Sequence, residues 1–196
     1  MNPLIYRLFF LASFLLFNGV TQANISLGIT PITQSGNSVN LGLVISGLGS
    51  ASAPSLGGYD FDIGFDPAHL SFDSAVFGDS VLGNQLDLSN FGSNYTTANV
   101  GSPGLLNLSE LSFDAISDLN TLQADSFTLA TLSFNVLNPG TSQLDITINT
   151  LSDADGSALL ANNTSVAITT VPVPGAVWLM LSGLGVFFRK YPLLTN

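Results

Sequence analysis

The chain has 196 residues, no cysteine and a formal charge of −10, yet its only bases are Arg7, Arg189 and Lys190, all near the ends. Its thirteen acids all fall between Asp60 and Asp155, so the middle is a field of one sign; this excludes a phosphate-tracking nucleic-acid binder, and the missing cysteines exclude disulfides and thiolate chemistry. Such charge repels itself in a compact state, which screening or a bound cation relieves, and calcium is the candidate cation.

In chain order, Met1 to Arg7 form a short basic start, Leu8 to Phe17 an apolar run broken only by Ser13, and Thr21-Gln22-Ala23 a small-x-small cleavage site. This order predicts a signal peptide over 1–23 that forms a short helix and is removed after Ala23. The run is too short for a span of ~20 residues.

Residues 24–170 read as one domain. Apolar residues alternate at Ile25, Leu27 and Ile29, at Val39, Leu41, Leu43 and Ile45, at Leu144, Ile146 and Ile148, and at Val166 and Ile168. Period two is the mark of a half-buried strand. It is clearest in Tyr59-Asp60-Phe61-Asp62-Ile63-Gly64-Phe65-Asp66, where one face is apolar and the other is acidic or glycine. Turn formers lie between the runs: Gln34-Ser35-Gly36-Asn37, Gly101-Ser102-Pro103-Gly104 and Asn138-Pro139-Gly140. With good helix formers scarce and no convincing amphipathic helix, the pattern predicts an all-β, antiparallel β-sandwich of about seven to nine strands.

Three segments of this domain resemble a cohesin domain. Tyr59 to Leu70 is similar to the cohesin strand that ends in an aromatic-Asp-Pro-x-x-Leu turn, and Leu129-Ala130-Thr131-Leu132-Ser133-Phe134 to its Leu-Ala-Thr-Ile-x-Phe strand. Asp153-Ala154-Asp155-Gly156 stands where such domains carry an Asp-Gly loop. The resemblance implies a cohesin-like jelly roll, related in architecture to some carbohydrate-binding modules. In cellulosomes such domains bind dockerins, although this chain has no dockerin-like repeat.

Individual residues offer few sites. Asp153 and Asp155 precede a glycine turn and are candidate calcium ligands, but position twelve of an EF-hand loop would be Thr164, not the bidentate Glu required. Asp60 and Asp62, with Asp66 predicted on the same strand face, could join a cation site; solvated outward carboxylates are the alternative. His69 is the only histidine and has no nucleophile or second ligand beside it in sequence, so no catalytic constellation is expected and the protein is not read as an enzyme. Tyr95, placed in a loop running from Asn90, is the candidate glycan contact; a loop aromatic covering a sheet edge is the alternative.

The C-terminal segment, 171–196, opens with Val171-Pro172-Val173-Pro174 and ends its apolar run at Arg189-Lys190. Pro174 suits the first turn of a helix over 174–188, and Gly175 to Phe188 would rise about 21 Å. That is short of a ~30 Å hydrocarbon core, as suits a temporary anchor, and the basic pair would hold the C-terminus in the cytoplasm. Val171, Pro172, Pro174, Ala176, Trp178, Leu179, Ser182, Gly183 and Leu184, followed by Arg189 and Lys190, resemble the VPLPA variant of the PEP-CTERM sorting signal of Gram-negative bacteria. That resemblance implies export across the inner membrane, recognition by an exosortase, and processing near the prolines. The expectation is an exported, non-enzymatic surface or extracellular protein that binds or builds an exopolysaccharide matrix, its partner a polysaccharide or another envelope protein. The alternative is a carbohydrate-binding module working with secreted polysaccharide-degrading machinery.

Overall fold

A computed structural model of the chain describes residues 25–170. Among them lie β1 (Ser26–Ser35), β2 (Ser38–Ser46), β3 (Leu56–Gly64), β4 (Leu70–Phe77), β5 (Asn94–Ser102), β6 (Leu105–Ser112), α1 (Ile116–Leu122), β7 (Ser126–Val136), β8 (Gly140–Asp153) and β9 (Thr164–Thr170). The strands form two antiparallel sheets, ordered β1-β2-β7-β4 and β5-β6-β3-β8-β9. This is the β-sandwich that the alternation predicts. The predicted signal peptide over 1–23 and the sorting tail with its helix over 174–188 lie outside the described residues. Among the described residues, no helix is long and apolar enough to cross a membrane.

Alternation places the core between the sheets. Leu41, Leu43 and Ile45 of β2 and Leu132 and Phe134 of β7 meet Tyr59, Phe61 and Ile63 of β3, Leu106 and Leu108 of β6, and Leu144 and Ile146 of β8, all buried. Phe134 packs edge-on against Phe65 from the opposite layer, ring centroids 5.2 Å apart, and against Phe72 of its own sheet at 5.8 Å. Burying one such side chain contributes about 1.5–3 kcal/mol.

Two strands, β4 and β5, carry no clear alternation in sequence, and a third, β6, hides its inward face for another reason. In β4 the register shifts between Phe72 and Ser74, so the inward residues Phe72 and Ala75 are three apart rather than two. β5 is an edge strand with little apolar content. β6 keeps its period but turns an acid, Glu110, inward. Among the described residues the helix α1 is also absent from the sequence reading: it is seven residues long and buries only Leu119, too little for a 3.6-residue period to show.

Chain entry and exit lie at opposite ends of the sandwich. Ser26 pairs with Ser46 at one end. At the other, Thr170 pairs with Gly140, whose near neighbour Val136 bonds the carbonyl of Asn37 in the β1–β2 turn.

Candidate functional site

The outer face of the five-stranded sheet gathers the polar groups that the sequence singled out. On β3, Tyr59, Phe61 and Ile63 point inward, so Asp60 and Asp62 must point out. Antiparallel register sets Asn107 of β6 opposite Asp62. Its amide donates to both carboxylates, at 2.7 Å to Asp60 Oδ1 and 3.0 Å to Asp62 Oδ1. From the other side, Asn149 sits where the β3–β8 register shifts, and donates to Asp60 Oδ1 at 3.3 Å. Hydrogen bonds from Asn107, then Asn149, hold the Asp62 carboxyl below its ordinary value, against a smaller opposing effect of burial. Asp62 is therefore ionised at neutral pH, and neutral amides organise the charge.

Beside this cluster the face turns apolar. Tyr95 and Leu111 are cross-strand partners on β5 and β6, 64% and 48% exposed. Gly58 of β3 pairs with Leu111 on the other flank, and a Cβ there would come within 3.0 Å of Leu111 Cδ1. The missing side chain helps to leave a shallow hollow of about 170 Å3 bounded by Gly58, Asp60, Tyr95, Ser109 and Leu111. Phe113, two residues beyond Leu111, is 64% exposed, and Phe91, in the turn before β5, is 90% exposed. The face thus offers carboxylate acceptors next to an aromatic and aliphatic ledge, with no Lys or Arg anywhere among the described residues.

Beneath the ledge lies a buried polar knot. Glu110 Oε1 accepts from the amides of Asn84 at 2.6 Å and Asn94 at 2.7 Å, and Oε2 accepts from the Tyr59 hydroxyl at 3.1 Å. Burial pushes the Glu110 carboxyl above its ordinary value despite these three bonds, and the nearby Asp87 charge adds to the rise. Burial, then the Glu110 charge, raises the Tyr59 hydroxyl well above its own ordinary value. The knot joins β3, β5, β6 and the segment before β5.

The structure separates the other sequence candidates. Asp153 Oδ1 accepts from the backbone amides of Asp155 at 3.0 Å and Ser157 at 2.7 Å, so this carboxylate closes its own turn. Asp153 and Asp155 do not join Asp60 and Asp62: among the described residues no three His, Asp or Glu side chains gather so as to hold a metal ion. Asp66 lies beyond the end of β3 rather than on its face, and its Oδ1 accepts from Ala68 N–H at 2.8 Å. His69 is a tie between turns, donating through Nδ1 to the Asn138 carbonyl at 3.2 Å. Tyr95 stands on β5, not in a loop. Asn107, Asn149 and Leu111 were missed, although Asn107 and Leu111 fall on the polar phase of the Leu106, Leu108 alternation.

The comparisons with known proteins agree with this architecture. Residues 24–177 match the Cohesin domain family. The chain belongs to that family. Cohesin domains are non-catalytic modules of protein–protein interaction in cellulosome-like scaffolds. No curated protein sequence matches the chain. Among solved structures, the sixth cohesin of Acetivibrio cellulolyticus scaffoldin B, in complex with a mutant Cel5 dockerin, is similar at 21% identity and a TM-score of 0.58, covering 76% of this chain and 99% of that one. A Clostridium thermocellum OlpA cohesin in complex with dockerin 918 gives 14% identity and 0.58, over 76% and 99%. The CaCohA2 cohesin of Clostridium acetobutylicum gives 16% and 0.55, over 76% and 92%. At these identities the likeness is one of fold, and it bears out the cohesin resemblance of the sequence.

Proposed function

We propose that this cohesin domain is a receptor for a dockerin-like protein partner, and that the partner docks on the outer face of β5, β6, β3 and β8. The observation that carries this is the Asp60–Asp62–Asn107 cluster set beside exposed Tyr95 and Leu111. An apolar anchor flanked by ordered acceptors is what a protein interface uses for affinity and register. With no cation of its own, the face favours a partner that brings Lys, Arg or N–H donors. The terminal signals place this receptor outside the cell: a signal peptide over 1–23 for export, and the Val171 to Lys190 motif as an exosortase-read sorting tail. Their support is the ordered motif in the sequence.

A second reading rests on Tyr95, whose exposed ring stands near carboxylate and amide groups able to bond sugar hydroxyls. In it, the same face holds an exopolysaccharide.

One pull-down separates the two. The immobilised full chain is offered its host's secreted and envelope proteins, and separately its exopolysaccharide, as wild type, Asp62→Lys, Leu111→Lys, Tyr95→Ala and, on exposed Ser74 of the other sheet, Ser74→Lys. Protein docking requires a partner kept by wild type and Ser74→Lys and lost by Asp62→Lys and Leu111→Lys. Equal capture by all five chains rules this face out. Polysaccharide retention abolished by Tyr95→Ala favours the second reading.

A further inference from the structure

The edge strands of the two sheets are not alike. β1 carries Pro31 with a register shift beside it, β4 a shift between Phe72 and Ser74, and β5 one between Val100 and Ser102. Proline and bulges of this kind spoil an edge as a template for another strand. β9 has neither: Thr164–Thr170 holds no proline and no charge, and it pairs with β8 without a shift. Among the described residues, no strand pairs with its other edge.

Between that edge and β1 the sandwich is open. A groove of about 400 Å3 reaches down to Ile29, Val39 and Leu41 on one side and to Val166 and Ile168 on the other. Four successive residues of β9, Val166 to Thr169, line it, so the groove follows the edge of the strand rather than one of its faces. The thirteen acids all lie between Asp60 and Asp155, which leaves β1, β2 and β9 without charge. Along this ladder β8 contributes only Asp145, opposite Ser165. In a domain whose charges are all negative, this is the side where a second copy meets least repulsion.

We propose that β9 pairs antiparallel with β9 of a second copy, about a two-fold axis at Ala167, so that two sandwiches share one continuous sheet. A two-fold interface requires a surface that complements itself. About Ala167, β9 does: Val166 meets Ile168 of the second copy, and Ser165 meets its Thr169. Branched apolar residues thus face one another, as do hydroxyl residues, and both kinds of pair stabilise a ladder. Val166 and Ile168 already pack, partly buried, against the core, and the second copy extends that packing across the groove. The axis stands perpendicular to the sheet, so the two outer faces look the same way. Two receptor faces on one side would give avidity for a partner that carries two docking segments. That consequence rests on the docking reading above; the strand pairing does not.

Sedimentation of the full chain in mild detergent tests the pairing. Wild type should run as a dimer. Ala167 is exposed, so Ala167→Asp and Ala167→Lys should each fold, as circular dichroism will report. Each sets like charges opposite one another and should raise the dimer dissociation constant about fivefold or more. Mixing the two variants should restore the dimer. The chain has no cysteine, so Ala167→Cys supplies a single thiol at the axis. Mild oxidation should link it into covalent dimers, while Ser74→Cys, exposed on the other sheet, should stay unlinked. A monomeric wild type, as when the chain beyond Thr170 or an unrelated protein fills the groove, overturns the proposal. So does a dimer that Ala167→Asp leaves intact, because its contact then lies elsewhere. A dimer that captures no protein would sink the docking reading and leave the pairing standing.

Discussion

Gln123 pairs with the backbone of Leu56 in both directions: Leu56 N–H donates to its Oε1 at 2.6 Å, and its Nε2 donates to the Leu56 carbonyl at 3.0 Å. The same Nε2 donates to the Gln85 carbonyl at 2.9 Å, and Gln85 Oε1 in turn accepts from Ala124 N–H at 2.9 Å. A side chain at the end of α1 thus serves as a strand neighbour for the first residue of β3.

Gln123→Leu should therefore cost about 2–4 kcal/mol. The residue is buried, and removing its amide strands buried backbone groups that cost about 1–3 kcal/mol each when unsatisfied. Urea unfolding with an unchanged slope but a lowered midpoint is the expected result. A loss under ~0.5 kcal/mol would show that water replaces the amide.

Glu110→Gln should change how stability depends on pH. The folded carboxyl is raised by burial, so it binds its proton more tightly folded than unfolded; the associated stability is full below the unfolded value near pH ~4.3 and is lost as pH rises through the folded value. Gln can still accept from Asn84 and Asn94 and donate to the Tyr59 oxygen. The variant should be more stable than wild type at about pH 7, the gap closing towards acid, as denaturant titrations at several pH values will show.

Asp79 has the opposite sign. Its carboxyl is held down at about 2, chiefly by the backbone N–H of Val81, with Thr128 N–H and Leu82 N–H contributing, while burial opposes them. Its stabilisation is present above the unfolded value and is lost as pH falls through the folded one, between about pH 4 and about pH 2. Asp79→Asn turns an amide donor towards the N–H donor of Thr128. Thermal scans should show a lower midpoint at neutral pH and a flatter acid limb.

Gly140→Ala meets two obstacles. Gly140 has φ of +153°, and a Cβ there would lie 2.7 Å from His69 Nδ1. Adding His69→Ala removes the collision but not the strained backbone. The double variant should recover about 0.5–3 kcal/mol relative to the sum of the singles, measured as a double-mutant cycle. Strict additivity would mean that His69 simply swings aside.

How much of this was legible in the sequence follows from how each feature is encoded. The strict alternation of β3, from Tyr59 to Ile63, states in one segment both which residues are buried and that Asp60 and Asp62 face water. The hydrogen bonds that organise those acids come from Asn107 and Asn149, on strands β6 and β8, which are neighbours of β3 only after the chain has crossed between sheets. Register across strands remote in sequence carries no local signal. Glu110 hides for another reason: read locally, an acid flanked by Ser109 and Leu111 belongs outside, and only the convergence of Tyr59, Asn84 and Asn94 makes an inward carboxylate tolerable. Tyr95 was legible as exposed but not as a strand residue, because an edge strand as polar as Asn94–Ser102 resembles a loop.

The opposed ends of the sandwich bear on force. A partner docked on the outer face, as proposed, would hold β8 and β3 in place, while a tether beyond Thr170 would pull on β9 alone. Tension along that strand would be met by the antiparallel ladder from Gly140–Thr170 to Ile146–Thr164, loaded lengthwise. Its hydrogen bonds would then have to shear together rather than open one by one, a geometry suited to a module that keeps its cargo while being dragged.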